Sequence, residues 1–256
     1  MQAKTIRRTD TMKYSVIHLQ ETSSTNTFLR DLQQKERQPE GRVIVADAQL
    51  AGRGQKGNSW ETERGKNLTF SMLLYPSHLT ASHSFILSQV ASLAVVEIFE
   101  TVASDFFIKW PNDIYWKEKK IGGMLIENDL HGKYLDSSIV GIGLNINQRT
   151  FVSDAPNPVS LIQITGREFS LPAWLDRVCE RILFRYEQTK TDDGRKEIEQ
   201  CYADRLFRKN GYFPFRDENG IFKARIKDIR PSGHLVLERI DGAERVYAFK
   251  EVEFLF

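Results

Sequence analysis

A long apolar segment at residues 82–102 is the feature that most restricts how this 256-residue chain folds. Its apolar side chains cover more than one face of a helix, so that helix must be buried on most of its sides. Short runs typical of β-strands lie on both sides of it, at 14–19, 43–46, 67–75, 106–110, 114–116, 123–130 and 139–146. The chain therefore combines several strands with a buried helix.

Capping residues and apolar spacing predict further helices. Ser24 begins one that runs toward Lys35, Ser170 begins a second, and a third spans about 194–206. From about residue 212 the pattern changes to short strands separated by turn sequences, which predicts a small antiparallel barrel. We expect three regions: a disordered extension at 1–12, a large domain at 13–209 and a small domain at 210–256.

The charge balance excludes some classes of protein. Thirty-six basic and 34 acidic residues give a formal net charge of +2, which argues against a chain-wide affinity for nucleic acid or membranes. We find no uninterrupted apolar run long enough to cross a bilayer, and the N-terminal residues are polar rather than signal-like. We therefore expect a cytoplasmic protein, with Cys179 and Cys201 as free thiols.

A glycine-rich, cationic segment runs from Gly52 to Gly57 and contains Arg53 and Gln55. Its three glycines let the backbone approach a ligand closely, and its cations suit phosphate or carboxylate. It matches neither the dinucleotide-binding fingerprint nor the P-loop, and a flexible surface loop is the alternative interpretation. Trp60, at its end, needs either a core or a flat partner such as adenine.

A second polar cluster follows the buried helix. In Lys109–Trp110–Pro111–Asn112–Asp113 the proline marks a turn or a sheet edge. Asp113 is either a turn residue or a holder of a divalent cation on a nucleotide phosphate. Lys120, close to Gly123, is either part of a solvated hairpin or a charge aimed at a ligand. Cations are needed where a carboxylate attacks the α-phosphate of ATP, because two anions meet there.

Two other polar motifs each have a structural and a functional interpretation. Ser24–Thr25–Asn26 either caps a helix or binds a neutral polar ligand, and 141–147 is either a bulged strand end or part of a site. The histidines show neither zinc spacing nor a catalytic triad.

Taken in order, these motifs resemble the biotin–protein ligase family. The matching elements are Ser24–Thr25–Asn26, Gln49, the Gly52–Gly57 loop with Trp60, Lys109–Asp113, Lys120–Gly123 and Gly141–Asn145. The motifs cover about residues 14–150, and the rest agrees in layout. The resemblance implies an α+β fold in which helices flank a mixed sheet, related to class II aminoacyl-tRNA synthetases, followed by a small SH3-like barrel.

The resemblance also implies an activity. Biotin and MgATP would give biotinyl-5′-AMP and pyrophosphate, and a lysine of a biotin carboxyl carrier protein or domain would then take the biotinyl group and release AMP. Partners would exclude nucleic acid and membranes, and the protein would be a monomer or a homodimer. The glycine-rich loop would close over the adenylate as a lid, because that anhydride hydrolyses in open water.

Roles for individual residues follow from the same resemblance. Arg53 and Lys120 would be catalytic, facing the biotin carboxylate and the α-phosphate, and Asp113 would hold Mg²⁺. Biotin would contact Ser24, Thr25, Asn26, Gln49, Gly52, Arg53, Gly54, Gln55, Lys120 and Gly123. ATP would contact Trp60, Lys109, Asn112, Asp113 and Asn145.

Two features depart from the family pattern. Gln55 stands where many members carry a second arginine, which predicts a weaker hold on the adenylate. Too few residues precede Tyr14 for a helix-turn-helix domain, so we expect no repressor function. The alternatives are a lipoate or octanoate ligase or transferase of related fold, an RNA-binding module and an inactive biotin sensor.

Overall fold

A computed structural model describes residues 6–8, 13–54, 60–152 and 157–256. Its larger sheet has eight strands: β1(Ile6–Arg8), β2(Lys13–Leu19), β3(Arg42–Ala46), β4(Leu68–Leu74), β5(Phe106–Lys109), β6(Asp113–Trp116), β7(Lys119–His131) and β8(Tyr134–Leu144). Their order is β1-β2-β3-β4-β8-β7-β6-β5. Strands β2 and β3 pair in parallel and all other neighbours are antiparallel, so the sheet is mixed, as predicted.

Helices cover both faces of this sheet. The α-helices in the described ranges are α1(Thr25–Lys35), α2(Ile86–Phe99), α3(Leu161–Thr165), α4(Leu171–Gln188) and α5(Asp192–Asp204). Leu29 of α1 packs with Ile44, Leu73 and Ile139 in a small cluster on one face. The main hydrophobic core lies on the other face, where α2 and α4 pack.

Strand β4 lies in the middle of the sheet and shows how the two faces differ. All seven of its residues are buried. Leu68, Phe70 and Met72 point into the main core. The alternate positions face α1, and there Thr69 and Ser71 are polar. Buried polar side chains need partners, so they mark the part of that face where a site can form.

A smaller antiparallel sheet follows α5. Its strands are β9(Phe213–Asp217), β10(Gly220–Ile229), β11(Leu235–Arg239), β12(Glu244–Tyr247) and β13(Glu253–Phe254), in the order β12-β11-β10-β9-β13. The described pairings leave β12 and β13 at the two ends, so closure into a barrel stays a prediction. Trp110 joins the two sheets, because its indole Nε1 donates to the Gly233 carbonyl at 2.8 Å.

Four features differ from the sequence-based expectations. Residues Ile6–Arg8, inside the extension expected to be disordered, pair with β2; the rest of that extension, 1–5 and 9–12, lies outside the described residues. Helix α3 and the early start of β7 at Lys119 were not anticipated. Ala81–Phe99 is apolar and long enough to cross a bilayer, but 67% of its apolar window is buried inside the protein, as in a core helix.

Candidate active site

A cavity of about 630 Å³ opens between the large sheet and the C-terminal segment. Most residues predicted to bind ligands line it, namely Ser24, Thr25, Asn26, Gln49, Arg53, Gly54, Trp60, Lys109, Asn112, Asp113, Lys120 and Gly123. The structure thus brings together motifs that are almost 100 residues apart in the chain.

The N-terminus of α1 forms a neutral polar end of this cavity. Thr25 donates to the Gln49 Oε1 atom from both its backbone nitrogen, at 2.8 Å, and its hydroxyl, at 3.2 Å. The Ser71 hydroxyl lies 2.7 Å from Thr25 Oγ1 and 2.6 Å from Asn26 Oδ1. Ser24 occupies the N-cap position but makes no capping hydrogen bond through its side chain. Hydroxyl and amide groups are therefore held in place without a net charge.

Glycines at two positions of β8 make room for this arrangement. A Cβ atom on Gly141 would lie 2.2 Å from Asn26 Oδ1. A Cβ atom on Gly143 would lie 2.4 Å from the Trp60 ring. The strand therefore needs glycine at both positions, because the polar side chain and the indole pack directly on its backbone.

Lys120 and Asp113 form a charged pair in the lining of the cavity. Their Nζ and Oδ1 atoms are 2.7 Å apart, and both side chains are about a fifth to a quarter exposed. The pairing of β6 with β7 shifts register between Ile114 and Tyr115, which places Tyr115 opposite Lys120. Such a bulge re-aims the side chains beside it. Gly123 faces the pair, since a Cβ there would be 3.2 Å from the Asp113 carboxylate.

Arg53 lies at the edge of the cavity and is about half exposed. Its Nη2 atom donates to the Thr27 hydroxyl at 3.1 Å and lies 3.4 Å from Glu127 Oε1. The expected contact between Arg53 and a ligand carboxylate therefore competes with two protein partners.

Lys109 is the third cation of the cavity. Its ammonium lies 5.0 Å from the centre of the Phe254 ring and 5.5 Å from that of Tyr115. Burial between these rings lowers the pKa of Lys109, and the charge of nearby Asp113 opposes that shift only in part. Within the described part of the chain, the Lys109 ammonium has no carboxylate within salt-bridge distance, which leaves its charge available to an anion.

Sequence reasoning missed the contribution of the second sheet and of β4. Phe254, Phe256 and Glu253 line the cavity from the C-terminal segment, and Thr69 lines it from β4. The Thr69 hydroxyl is buried without a hydrogen-bond partner among the described residues. Thr69 and Ser71 could have been identified because they are polar residues in an otherwise apolar strand. By contrast, no local pattern in 249–256 indicates that this segment lies at the site.

Three predicted residues stand apart from the cavity lining. Asn145 is buried behind it, where its Nδ2 atom donates to the Val159 carbonyl at 3.2 Å and its Oδ1 atom has no partner among the described residues. The Gly52 carbonyl accepts a hydrogen bond from the Trp60 backbone nitrogen at 2.9 Å, so its backbone contacts Trp60 and does not line the cavity. Gln55 lies outside the described residues.

The carboxylates of the site fit a metal ion that takes most of its ligands from outside the protein. No group of three or more His, Cys, Asp or Glu side chains that could hold a metal ion occurs within the described ranges. A protein-only metal cage is therefore not formed by these residues. Asp113 fits an ion such as Mg²⁺, which commonly takes one or two carboxylates and fills its other positions with phosphate oxygens and water.

Comparison with known proteins agrees with this geometry. Residues 18–145 match the biotin/lipoate A/B protein ligase family. The chain is 30% identical over 252 residues to the bifunctional ligase/repressor BirA of Bacillus spizizenii, across 94% of this chain and 74% of that protein. It is 32% identical over 218 residues to the biotin–[acetyl-CoA-carboxylase] ligase of Paracoccus denitrificans, across 80% of this chain and 87% of that protein.

The fold is similar to that of a solved enzyme. The biotin protein ligase of Aquifex aeolicus, in complex with biotin and ATP, superposes with a TM-score of 0.76 at 28% sequence identity. The superposition covers 93% of this chain and 97% of that one, so both sheets have counterparts there.

Proposed function

Because the chain belongs to the biotin/lipoate A/B protein ligase family and is an enzyme of the biotin–[acetyl-CoA-carboxylase] ligase type, we propose that it forms biotinyl-5′-AMP from biotin and ATP. It then transfers the biotinyl group to a lysine of a biotin carboxyl carrier domain. The main support is that a neutral polar pocket and the Lys120–Asp113 pair share one cavity.

The neutral end of the cavity holds the fused ring system of biotin. A ureido group carries two N–H donors and one carbonyl acceptor and has no charge. Ser24, Thr25 and Gln49 supply hydroxyl and amide groups at that end, and Asn26 is fixed there by Ser71. Ordered neutral partners discriminate such a group strongly, because a ligand without it leaves them unpaired.

Adenylation takes place at the charged centre. A carboxylate oxygen of biotin attacks the α-phosphorus of ATP, the bond from that phosphorus to the bridging oxygen of the β-phosphate breaks, and pyrophosphate leaves. Lys120 lies where the negative charge builds up and stabilises it. Asp113 holds the Lys120 ammonium in place through the 2.7 Å contact.

ATP occupies the end of the cavity nearest the second sheet. Lys109 faces the phosphates with its unpaired charge, Trp60 offers a ring face to adenine, and Asn112 lines the same wall. Asn145 supports this wall from behind through its bond to Val159. Mg²⁺, when bound, would be held by Asp113 together with the phosphates and would offset their charge.

Transfer completes the reaction. The amine of the acceptor lysine attacks the carbonyl carbon of the mixed anhydride, the bond to AMP breaks, and the nitrogen loses a proton. The proposal includes a lid formed by the glycine-rich loop and a weaker hold on the adenylate because of Gln55. It also includes an SH3-like form of the second sheet.

A lipoate or octanoate ligase of related fold is the alternative. An acyl chain without a polar ring needs an apolar pocket, whereas the Ser24 and Thr25 hydroxyls and the Gln49 amide line the cavity here. A hydrocarbon chain would give no partner to the Ser24 hydroxyl, which makes no capping hydrogen bond, and would exclude water from it. The polar pocket therefore favours biotin.

Mass spectrometry of a carrier domain tests the proposal directly. The domain is incubated with the protein, ATP and either biotin or lipoate, and a carrier whose acceptor lysine is replaced by alanine serves as control. We expect the biotinyl mass shift on the unaltered carrier only, together with biotin-dependent release of pyrophosphate. Modification by lipoate alone would support the alternative, and no modification by either would overturn both.

Several properties beyond catalysis remain proposals. We expect a cytoplasmic enzyme that is a monomer or a homodimer and that does not act on nucleic acid or membranes. Relatives named ligase/repressor make DNA binding the property to examine. Sequence-specific retardation of DNA in a gel shift would contradict the expected lack of a repressor function.

A further inference from the structure

The side chain of Arg53 extends toward α1 and β7 and not toward the Lys120–Asp113 pair. Its Nη2 atom contacts Thr27 Oγ1 at 3.1 Å and Glu127 Oε1 at 3.4 Å. Within the described residues it has no recorded hydrogen bond or ion pair with Asp113, the carboxylate at the centre of the cavity.

Glu127 joins three parts of the protein. Its carboxylate is only 19% exposed. It accepts a hydrogen bond from Asn26 Nδ2 at 2.8 Å, and it pairs with Arg30 at 3.3 Å as well as with Arg53. Asn26 is in turn bound to Ser71, at the closed end of the cavity. The glycine-rich loop and the neutral pocket are thus connected through one carboxylate.

We propose that Glu127 is a positioning residue that holds Arg53, and that Arg53 anchors the backbone of Gly52–Gly54 against biotin instead of supplying charge to the reacting atoms. This inference rests on the proposed function, since it assigns a role within the same site. Within the described chain, Thr27 and Glu127 are the hydrogen-bond and ion-pair partners of the Arg53 guanidinium.

The backbone beside Arg53 explains why an anchor matters. Gly52 accepts a hydrogen bond from the Trp60 nitrogen at 2.9 Å. A Cβ on Gly52 would lie 2.6 Å from the Trp60 carbonyl and 3.2 Å from Gln49 Nε2. The backbone at Gly52 therefore passes directly beside Gln49 of the neutral pocket. Fixing the Arg53 side chain fixes this backbone before the ligand arrives, which reduces the entropy lost on binding.

The charge balance agrees with an anchoring role. Glu127 faces two arginines and offsets part of the charge of each. Lys120, by contrast, pairs with Asp113 in the cavity lining, and the Lys109 ammonium lies against the Phe254 and Tyr115 rings. Lys109 and Lys120 thus already provide positive charge for the phosphates, so this charge is not needed from Arg53.

The test compares four variants with the wild-type protein: Arg53→Ala, Glu127→Gln, the double variant, and Thr27→Val. Glu127→Gln keeps an amide oxygen for Asn26 but removes the charge that holds Arg53. Asp129→Asn is the matched control, because Asp129 lies two residues further along β7 and accepts a hydrogen bond from Ser137 at 2.8 Å. Biotin affinity is measured by calorimetry without ATP, turnover by biotin-dependent exchange of pyrophosphate into ATP, and folding by thermal melting.

If Arg53 is an anchor, its loss should weaken biotin binding more than it slows adenylation. We expect the Kd for biotin to rise about tenfold in Arg53→Ala and in Glu127→Gln, with kcat at saturating biotin within about threefold of wild type. The double variant should bind no more weakly than Arg53→Ala, because the two residues act as one unit. Thr27→Val should give a smaller rise, of about threefold, and Asp129→Asn none.

Three results would overturn the inference. One is a loss of about a hundredfold in kcat for Arg53→Ala with unchanged biotin affinity, which marks a cation acting in the transition state. The others are additive effects in the double variant, and wild-type affinity in Glu127→Gln. A wild-type protein that neither binds biotin nor exchanges pyrophosphate would overturn the proposed function itself, whereas an active wild type with unaffected variants overturns only the anchor.

Discussion

The ammonium of Lys120 lies 2.7 Å from the carboxylate of Asp113, and both side chains line the cavity. These residues sit on neighbouring strands, where the Lys120–Asp113 contact crosses a one-residue shift in register. A preformed pair of this kind needs little reorganisation when charge develops nearby, and such preorganisation is a main source of electrostatic catalysis.

Replacement of Lys120 tests this role. We expect Lys120→Ala to lower the rate of adenylation at least about a hundredfold, because one donor to the charged transition state is lost. Biotin-dependent release of pyrophosphate measures it. Lys119→Ala is the matched control, since Lys119 is the adjacent lysine but is exposed and outside the cavity lining. Near-normal turnover in Lys120→Ala would show that another cation does this work.

The sequence predicted the large sheet and the main helices well because each has a strong local pattern. Helix α1 begins after Ser24 and ends at Lys35, and α4 begins after Ser170, as expected. Short elements without such a pattern, such as α3, were missed. The buried helix predicted at 82–102 is present as α2, although α2 ends at Phe99 and the turn at Ala81–His83 is separate from it.

The site was predictable where motifs carry polar residues in apolar surroundings. Lys120 and Asp113 were each expected in the site, and the structure also places them in contact with each other. The orientation of the Arg53 side chain was not predictable, because it depends on Glu127, which follows 74 residues later in the chain. The aromatic wall from Phe254 was missed for the same reason, since only tertiary packing brings it to Lys109.

The pH dependence of the enzyme should report on Lys109. Burial lowers the pKa of its ammonium, so Lys109 loses its proton at lower pH than a free lysine does. If its charge holds the phosphates, activity falls as the pH rises through that lowered pKa. Phe254→Ala admits water beside the ammonium and raises its pKa, and we expect the alkaline decline of kcat/KM for ATP to move to higher pH.

Lys109→Ala is the reference variant for the pH profile of Phe254→Ala. Lys109→Ala should weaken ATP use at all pH values and remove the part of the alkaline decline that belongs to this lysine. A profile for Phe254→Ala that superimposes on the wild-type profile would show that the aromatic wall does not control the charge of Lys109.

The contact between Gly143 and Trp60 leads to a prediction about the ATP end. A Cβ on Gly143 would lie 2.4 Å from the indole, which is closer than real Cβ contacts, so Gly143→Ala must displace the ring. We expect KM for ATP to rise about tenfold if the indole stacks on adenine, a contact worth about 1–3 kcal/mol. In a Trp60→Ala background the same glycine substitution should have little further effect. Equal effects in both backgrounds would mean that Gly143 acts on something other than Trp60.

Stability of the helical layer should depend on Arg185. Its guanidinium pairs with Glu97 of α2, and both side chains are less than a tenth exposed. Removing one partner leaves the other charge buried, so Arg185→Met should lower the free energy of unfolding by about 3 kcal/mol. Lys190→Met is the matched control on the same side of the fold, because the Lys190–Glu187 pair is about half exposed and contributes less than about 1 kcal/mol. Urea denaturation of both variants measures the difference. Equal stabilities for the two would show that water or Arg181, which also contacts Glu97, replaces the lost partner.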